Sequence, residues 1–162
     1  MTLGLAILGS GEIAATHLQS LKELSDFNIS YICDIDEEKA NDLAKNSPGS
    51  QIEKNMDMMI TNKEIDIVDI CLPPHLHFST ALKFLKADKH VICEKPLSTS
   101  VNEAQKLIDI SYSKNKNLYP VFQYRYGKHI LILKDLISKG KTGEPIVASS
   151  EVHWNRNEEY YN

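Results

Sequence analysis

Two short stretches carry residue types whose spacing could do chemistry. In the first, an apolar run ends in Gly9-Ser10-Gly11-Glu12-Ile13-Ala14, and Asp34 follows 20 residues after Ala14. Gly9 lets a strand turn sharply into a helix, and Gly11, lacking a side chain, lets a pyrophosphate approach the backbone. The phosphates would rest at a helix N-terminus, where free N–H groups and the positive end of the helix dipole favour an anion. Gly9, Ser10, Gly11, Glu12 and Ile13 are the expected contacts, and Ala14 is the small third position that lets the helix pack on the strand. Two glycines near an alanine often mark an ordinary turn; here the flanking strand, helix and acid-ended second strand occur together. Asp34 could accept hydrogen bonds from both hydroxyls of an adenosine ribose and would repel a 2'-phosphate, so NAD is expected over NADP. Ile35, Asp36 and Glu37 supply no cation for that phosphate. Starting the next helix, the competing role for Asp34, falls more naturally to Asp36.

The second stretch is Cys93-Glu94-Lys95-Pro96, which closes another short apolar run. A lysine at that strand end would project beside the reactive end of a bound dinucleotide. There its ammonium could hydrogen-bond a substrate hydroxyl, and partial desolvation would let it join a proton relay. The competing reading is a surface lysine paired with Glu94. His75 and His77 follow Pro73-Pro74, but a metal site needs three or four ligands and no supporting set has the spacing, so no metal is expected. Cofactor contact by His77, or a simple role at a helix entry, fits better. In Gln123-Tyr124-Arg125-Tyr126, Gln123 or Arg125 could face the same cleft, and Arg125 could equally form an ion pair at a domain junction. Trp154, Arg156, Tyr160 and Tyr161 suit stacking on sugar rings or anchoring an interface.

The elements that must position these groups follow from periodicity. Strands are expected at Leu3–Leu8, Ile29–Asp34, Gln51–Glu53, Ile67–Leu72, His90–Cys93 and Leu118–Gln123. Helices are expected at Ile13–Leu24, Glu37–Lys45, Met56–Ile60, Phe78–Lys86 and Val101–Ser113, with Pro73-Pro74 forbidding helix directly after the fourth strand. Such alternation predicts an α/β fold, a doubly wound parallel sheet of Rossmann type over residues 1–124. From 125 to 162 the character changes. An amphipathic helix at Lys128–Lys139 and a strand at Ile146–Trp154 read as the start of a second, truncated α+β domain whose partner strands are not in this chain. The chain is therefore expected to be a fragment of a longer protein, or to pair its last strand with another subunit.

Composition narrows the partners. A net charge of −4 over 162 residues, with 25% charged, offers no basic field for nucleic acid and no polybasic membrane patch. No segment has the apolar length of a membrane span, and Met1–Leu8 is too short for a signal peptide. Three cysteines, Cys33, Cys71 and Cys93, form no C-x-x-C pair and suit a reducing cytoplasm. Each falls near a strand end. They read first as small buried hydrophobes, and secondly as thiols that a bound cofactor could shield from reagents.

The assembled residues resemble the N-terminal part of the glucose-fructose oxidoreductase and inositol dehydrogenase family, Gfo/Idh/MocA. The resemblance runs through Gly9-Ser10-Gly11 with Ala14, Asp34, Pro73 with His77, His90-Val91-Ile92-Cys93-Glu94-Lys95-Pro96-Leu97 and Gly143-Glu144-Pro145. It implies an NAD-dependent oxidoreductase moving hydride between C4 of nicotinamide and a carbon of a sugar, sugar nucleotide or polyol. Lys95 then lies between cofactor and substrate and takes part in proton transfer. Pro73, His77, Glu94, Lys95 and Gln123 join the glycine turn and Asp34 as cofactor contacts, and Lys95, Arg125 and Arg156 face substrate. Trp154-Asn155-Arg156 with Tyr160-Tyr161 is similar to the branch acting on UDP-linked amino-sugar uronates. Family members continue into an open antiparallel sheet that supplies an aspartate and a histidine, and the full-length protein is expected to be a homo-oligomer. The 162-residue chain is expected to bind dinucleotide and turn over poorly. Pro74 stands where the family often has asparagine. Two other readings fit parts of the sequence: a non-catalytic NAD-binding module or truncated relative, and an S-adenosylmethionine-dependent methyltransferase, against which Glu94-Lys95-Pro96 and Ala14 argue.

Overall fold

The structure is a computed structural model describing residues 2–155 and Glu158. It divides into two compact units, Met1–Phe122 and Gln123–Asn162.

The first unit is built on a six-stranded, all-parallel sheet. Its strands are β1 (Leu3–Leu8), β2 (Phe27–Cys33), β3 (Gln51–Glu53), β4 (Ile67–Ile70), β5 (His90–Cys93) and β6 (Leu118–Pro120), in the spatial order β3-β2-β1-β4-β5-β6. Strands covered on both faces read as continuous apolar runs, which is why Leu5, Ala6, Ile7 and Leu8 are all fully buried. Alternate residues of β1 feed opposite cores. Leu5 and Ile7 pack with Ala14 and Leu18 of α1 (Glu12–Leu21) and with Ala40 and Leu43 of α2 (Glu37–Ala44). Ala6 and Leu8 belong to the core that takes in Phe84 and Leu85 of α3 (Pro74–Lys86) and Leu107 of α4 (Val101–Ser113). Winding outward in both directions from β1 and β4 leaves a crevice between their carboxyl ends, where ligands of such sheets bind.

Local chemistry sets the helix starts. Asp36 caps α2, accepting from the amides of Glu38 and Lys39 at 3.1 and 3.2 Å. The helix expected from Phe78 begins instead at Pro74. Proline is excluded from helix interiors but suits the first helical position, where its missing N–H would have had no partner. The expected sixth strand also stops early. Its last ladder bond runs from the Val121 amide to Cys93 O, after which β5 has ended, and Gln123–Tyr126 coils into a 3-10 turn.

In the second unit that turn precedes α5 (Lys128–Ser138). The strand expected over Ile146–Trp154 is not formed: the segment is irregular. A strand exists through its ladder, and no strand partner for this segment lies among the described residues. Among the described residues, no helix is long and apolar enough to cross a membrane.

Candidate functional site

The β1–α1 turn is locked to both neighbouring strands. Gly9 takes a φ of +96°, its amide donates to Cys33 O at 2.8 Å, and a Cβ placed on it would lie 2.5 Å from the carbonyl oxygen of Cys71. Only glycine fits there. Gly11 differs. It starts α1 with ordinary extended angles, offers no capping side chain, and a Cβ on it would meet nothing within 4 Å. The space over Gly11 is therefore open, at the end of a helix whose first-turn amides have no side-chain cap.

Asp34 sits at the tip of β2 and reaches across to this turn. Its Oδ2 accepts from the Ser10 amide at 2.8 Å and the Ser10 hydroxyl at 2.6 Å, while Oδ1 accepts from the Asp36 amide at 2.9 Å. Burial opposes ionisation of Asp34. The Ser10 hydroxyl, the two amides and the charge of Lys39 outweigh it and hold the carboxyl below its ordinary value. A cleft of about 450 Å³ opens here, lined by Gly9, Ser10, Gly11, Asp34, Pro73 and Leu76 among others. Lys39 and Lys54, beyond the Ile35-Asp36-Glu37 segment, line it as well. Lys54 follows β3 and pairs with Glu37 at 2.5 Å, and Lys39 of α2 approaches Asp36 at 3.6 Å.

Glu94 turns inward at the end of β5 and is only 6% exposed. Its Oε2 accepts from the Lys95 amide at 2.9 Å, and Oε1 lies 3.2 Å from Nε2 of His17. The surface pairing of Glu94 with the Lys95 ammonium is thus replaced by an internal one, and Lys95 itself is exposed. The Lys95–Pro96 peptide is cis. His77 is 1% exposed, with Nδ1 2.7 Å from Pro96 O and Nε2 2.7 Å from Leu72 O. Its ring braces two strand-end loops, with both ring nitrogens facing backbone carbonyls. Gln123 and Arg125 are exposed members of the second unit's 3-10 turn, so neither belongs to the sixth strand. Arg156, Tyr160 and Tyr161 lie outside the described residues.

Sequence reasoning missed His17. From α1 its Nδ1 lies 2.9 Å from Asp69 Oδ2 of β4, and its Nε2 faces Glu94. A signal was present: His17 lies three residues from Ala14 on the core face of α1, and Asp69 interrupts an apolar strand, so two polar groups were each bound for the interior. The Asp69 hydrogen bond is the largest influence on His17. With the charges of Asp69 and Glu94 it outweighs burial and raises the histidine's pKa.

The three thiols are buried. Burial, followed by neighbouring carboxylates, pushes Cys33 and Cys93 up to about 12 and Cys71 further still. This supports their reading as small hydrophobes. Ligand atoms of His17, Asp69 and Cys71 fall within 4.8 Å of one another, the spacing of a possible metal trio. Within that trio His17 and Asp69 already meet each other at hydrogen-bond distance.

The pattern of an oxidoreductase family with an NAD-binding Rossmann fold matches residues 3–122. An inositol 2-dehydrogenase of Salmonella typhimurium is 30% identical over 158 residues, covering 96% of this chain and 47% of its own length. A glucose-6-phosphate 3-dehydrogenase of Bacillus subtilis is 32% identical over 153 residues, 94% of this chain and 42% of the relative. The chain thus spans about half the length of the curated relatives it matches. In fold it superimposes on the WlbA dehydrogenase of Chromobacterium violaceum, solved with NADH and UDP-GlcNAcA, with a TM-score of 0.86 and 24% identity, covering 99% of this chain and 46% of that one. The glycine turn, the acid-ended second strand and this match over most of its length place the chain in the Gfo/Idh/MocA oxidoreductase family, as its NAD-binding Rossmann fold.

Proposed function

We propose that the chain is the cofactor-binding part of an NAD-dependent dehydrogenase acting on a hydroxyl-bearing carbon of a sugar, sugar nucleotide or polyol. The observation that carries this reading is a juxtaposition: the open space over Gly11, the ionised Asp34 and the exposed Lys95 all stand at carboxyl ends of parallel strands. The amides of Gly11, Glu12 and Ile13 hold the pyrophosphate, those of Gly9 and Ser10 being bonded to Cys33 O and Asp34 to shape the turn, and Asp34 takes the adenosine ribose hydroxyls. Asp34 favours NAD over NADP by repelling a 2'-phosphate, with Lys39 and Lys54 nearby in exposed pairs with Asp36 and Glu37. When bound, NAD supplies a hydride acceptor at C4 of its nicotinamide.

Lys95 then meets the substrate oxygen, hydrogen-bonding it and relaying its proton during oxidation. Pro73 shapes the cleft wall, while His77 and Glu94 serve the cofactor site by fixing its loops. Gln123, Arg125 and Arg156 complete contacts to cofactor and substrate. The reading includes a homo-oligomer in the cytoplasm with no nucleic-acid partner; the three free thiols suit a reducing compartment, and the net charge of −4 offers nucleic acid no basic field. In this reading residues 1–124 are the cofactor domain and 125–162 begin a second domain, a boundary two residues beyond the end of the first compact unit at Phe122.

The test is turnover by the longest polypeptide the gene encodes, with NAD and a panel of inositols, hexose phosphates and sugar nucleotides. Lys95→Met should lower kcat by about 100-fold, the lower end of general acid–base contributions, and leave NADH affinity within about twofold. Unchanged kcat in that variant would refute the role of Lys95.

A further inference from the structure

We infer that His17 is a positioning residue for Lys95: its ring ties Asp69 to Glu94, and the remaining oxygen of Glu94 holds the Lys95 backbone amide. This rests on the reading of Lys95 as the catalytic group, and it adds a residue from α1 that the motif at Glu94-Lys95-Pro96 does not contain.

The chain of bonds is continuous: Asp69 Oδ2 to His17 Nδ1 at 2.9 Å, His17 Nε2 to Glu94 Oε1 at 3.2 Å, and Lys95 N to Glu94 Oε2 at 2.9 Å. It is also enclosed. The side chains of His17, Asp69 and Glu94 are 14%, 1% and 7% exposed. A neutral imidazole has a single N–H, yet here each ring nitrogen faces a carboxylate oxygen. The doubly protonated ring satisfies both, whereas the neutral ring sets a lone pair against one of the two anions.

The titratable groups within reach of the ring are Asp69 and Cys71 from β4 and its end, Cys71 Sγ lying 3.4 Å from Nδ1, and Glu94 from the end of β5. Burial keeps the Cys71 thiol protonated, so the carboxylates are the charges that His17 answers. Loss of the ring proton leaves Glu94 as a buried anion without its partner, and the Lys95 amide loses its fixed acceptor. On the far side of Lys95, Pro96 O is held by His77 at 2.7 Å. Lys95 thus stands between two histidine rings whose nitrogens all face oxygen acceptors, and His17→Gln separates the contribution of one from the other.

The experiment is an NMR pH titration of this chain, following the His17 ring carbons and the Lys95 backbone amide together. Both should show one shared inflection, above the ordinary histidine value of 6.5. In His17→Gln the Lys95 inflection should vanish while amides of the sheet interior, such as Ala6 and Val68, keep their shifts. In Glu94→Gln the His17 midpoint should move down, because one of its two anions is gone. A Lys95 amide that ignores the His17 titration in the wild-type chain would overturn the inference, and that arm needs no variant to fold. NADH binding is measured separately by fluorescence. Binding with uncoupled His17 and Lys95 would refute the positioning role alone, and coupling without binding would refute the cofactor reading alone.

Discussion

Gly9 and Gly11 stand two residues apart in one motif, yet the structure assigns them different work, and alanine at each separates the two. Alanine at Gly9 must accept a φ of +96° and a Cβ 2.5 Å from the Cys71 carbonyl oxygen, a backbone atom that cannot rotate away. The dihedral alone costs about 1–3 kcal/mol, and shifting β4's end adds to it, so a loss of roughly 3 kcal/mol from a total stability of about 5–15 kcal/mol is expected. Alanine at Gly11 keeps an allowed φ of −76° and touches nothing. Its cost is the difference between glycine and alanine at a helix N-cap, about 0.5–1 kcal/mol. Its methyl group, however, fills the space where the pyrophosphate must approach, and NADH affinity should fall at least tenfold, about 1.4 kcal/mol. Urea unfolding and NADH fluorescence titration on both variants read the two effects. Undiminished NADH affinity in Gly11→Ala would refute the phosphate cradle, and an unchanged urea midpoint in Gly9→Ala would refute the steric reasoning.

Two further outcomes follow from the buried groups. Because His17 has a raised pKa in the folded chain, its contribution to stability is complete below its ordinary value of 6.5 and is lost as pH rises through the folded value; the urea midpoint of the wild type should fall over that window, and His17→Gln should flatten the fall. Cys33 and Cys93, with thiols pushed up to about 12, should react with Ellman's reagent at mildly alkaline pH only as fast as the chain unfolds, with or without NADH; rapid labelling of the native chain would contradict their burial.

Much of this architecture is legible in the sequence because its signals are local. The apolar run of β1, the glycines after it and the alternating amphipathic segments record near-neighbour constraints, and they identify the parallel sheet and the glycine turn. What is not legible depends on groups distant along the chain. Gly4 reads as an interruption of an apolar run, but a Cβ there would fall on the carbonyl oxygen of Glu64, a close approach visible only after β1 and β4 pair. His17 meets partners 52 and 77 residues away, so spacing along α1 gives its face and no more. Lys54 reaches the cleft from the end of β3 in the same way. Pro74 shows the opposite failure: a local rule applied too broadly hides the start of α3, because proline breaks helices everywhere except where they begin. The apolar alternation of Ile146–Trp154 suits a strand, but alternation supplies a face and not a ladder.

The central claim is that the cleft between the glycine turn and Asp34 holds NAD, and its most direct test is a paired titration of this chain with NADH and NADPH, repeated on Asp34→Ala. Saturable binding tighter for NADH, with that preference lost in the variant, is the expected result. NADPH bound more tightly than NADH by the wild-type chain, or a preference unchanged without Asp34, would contradict it.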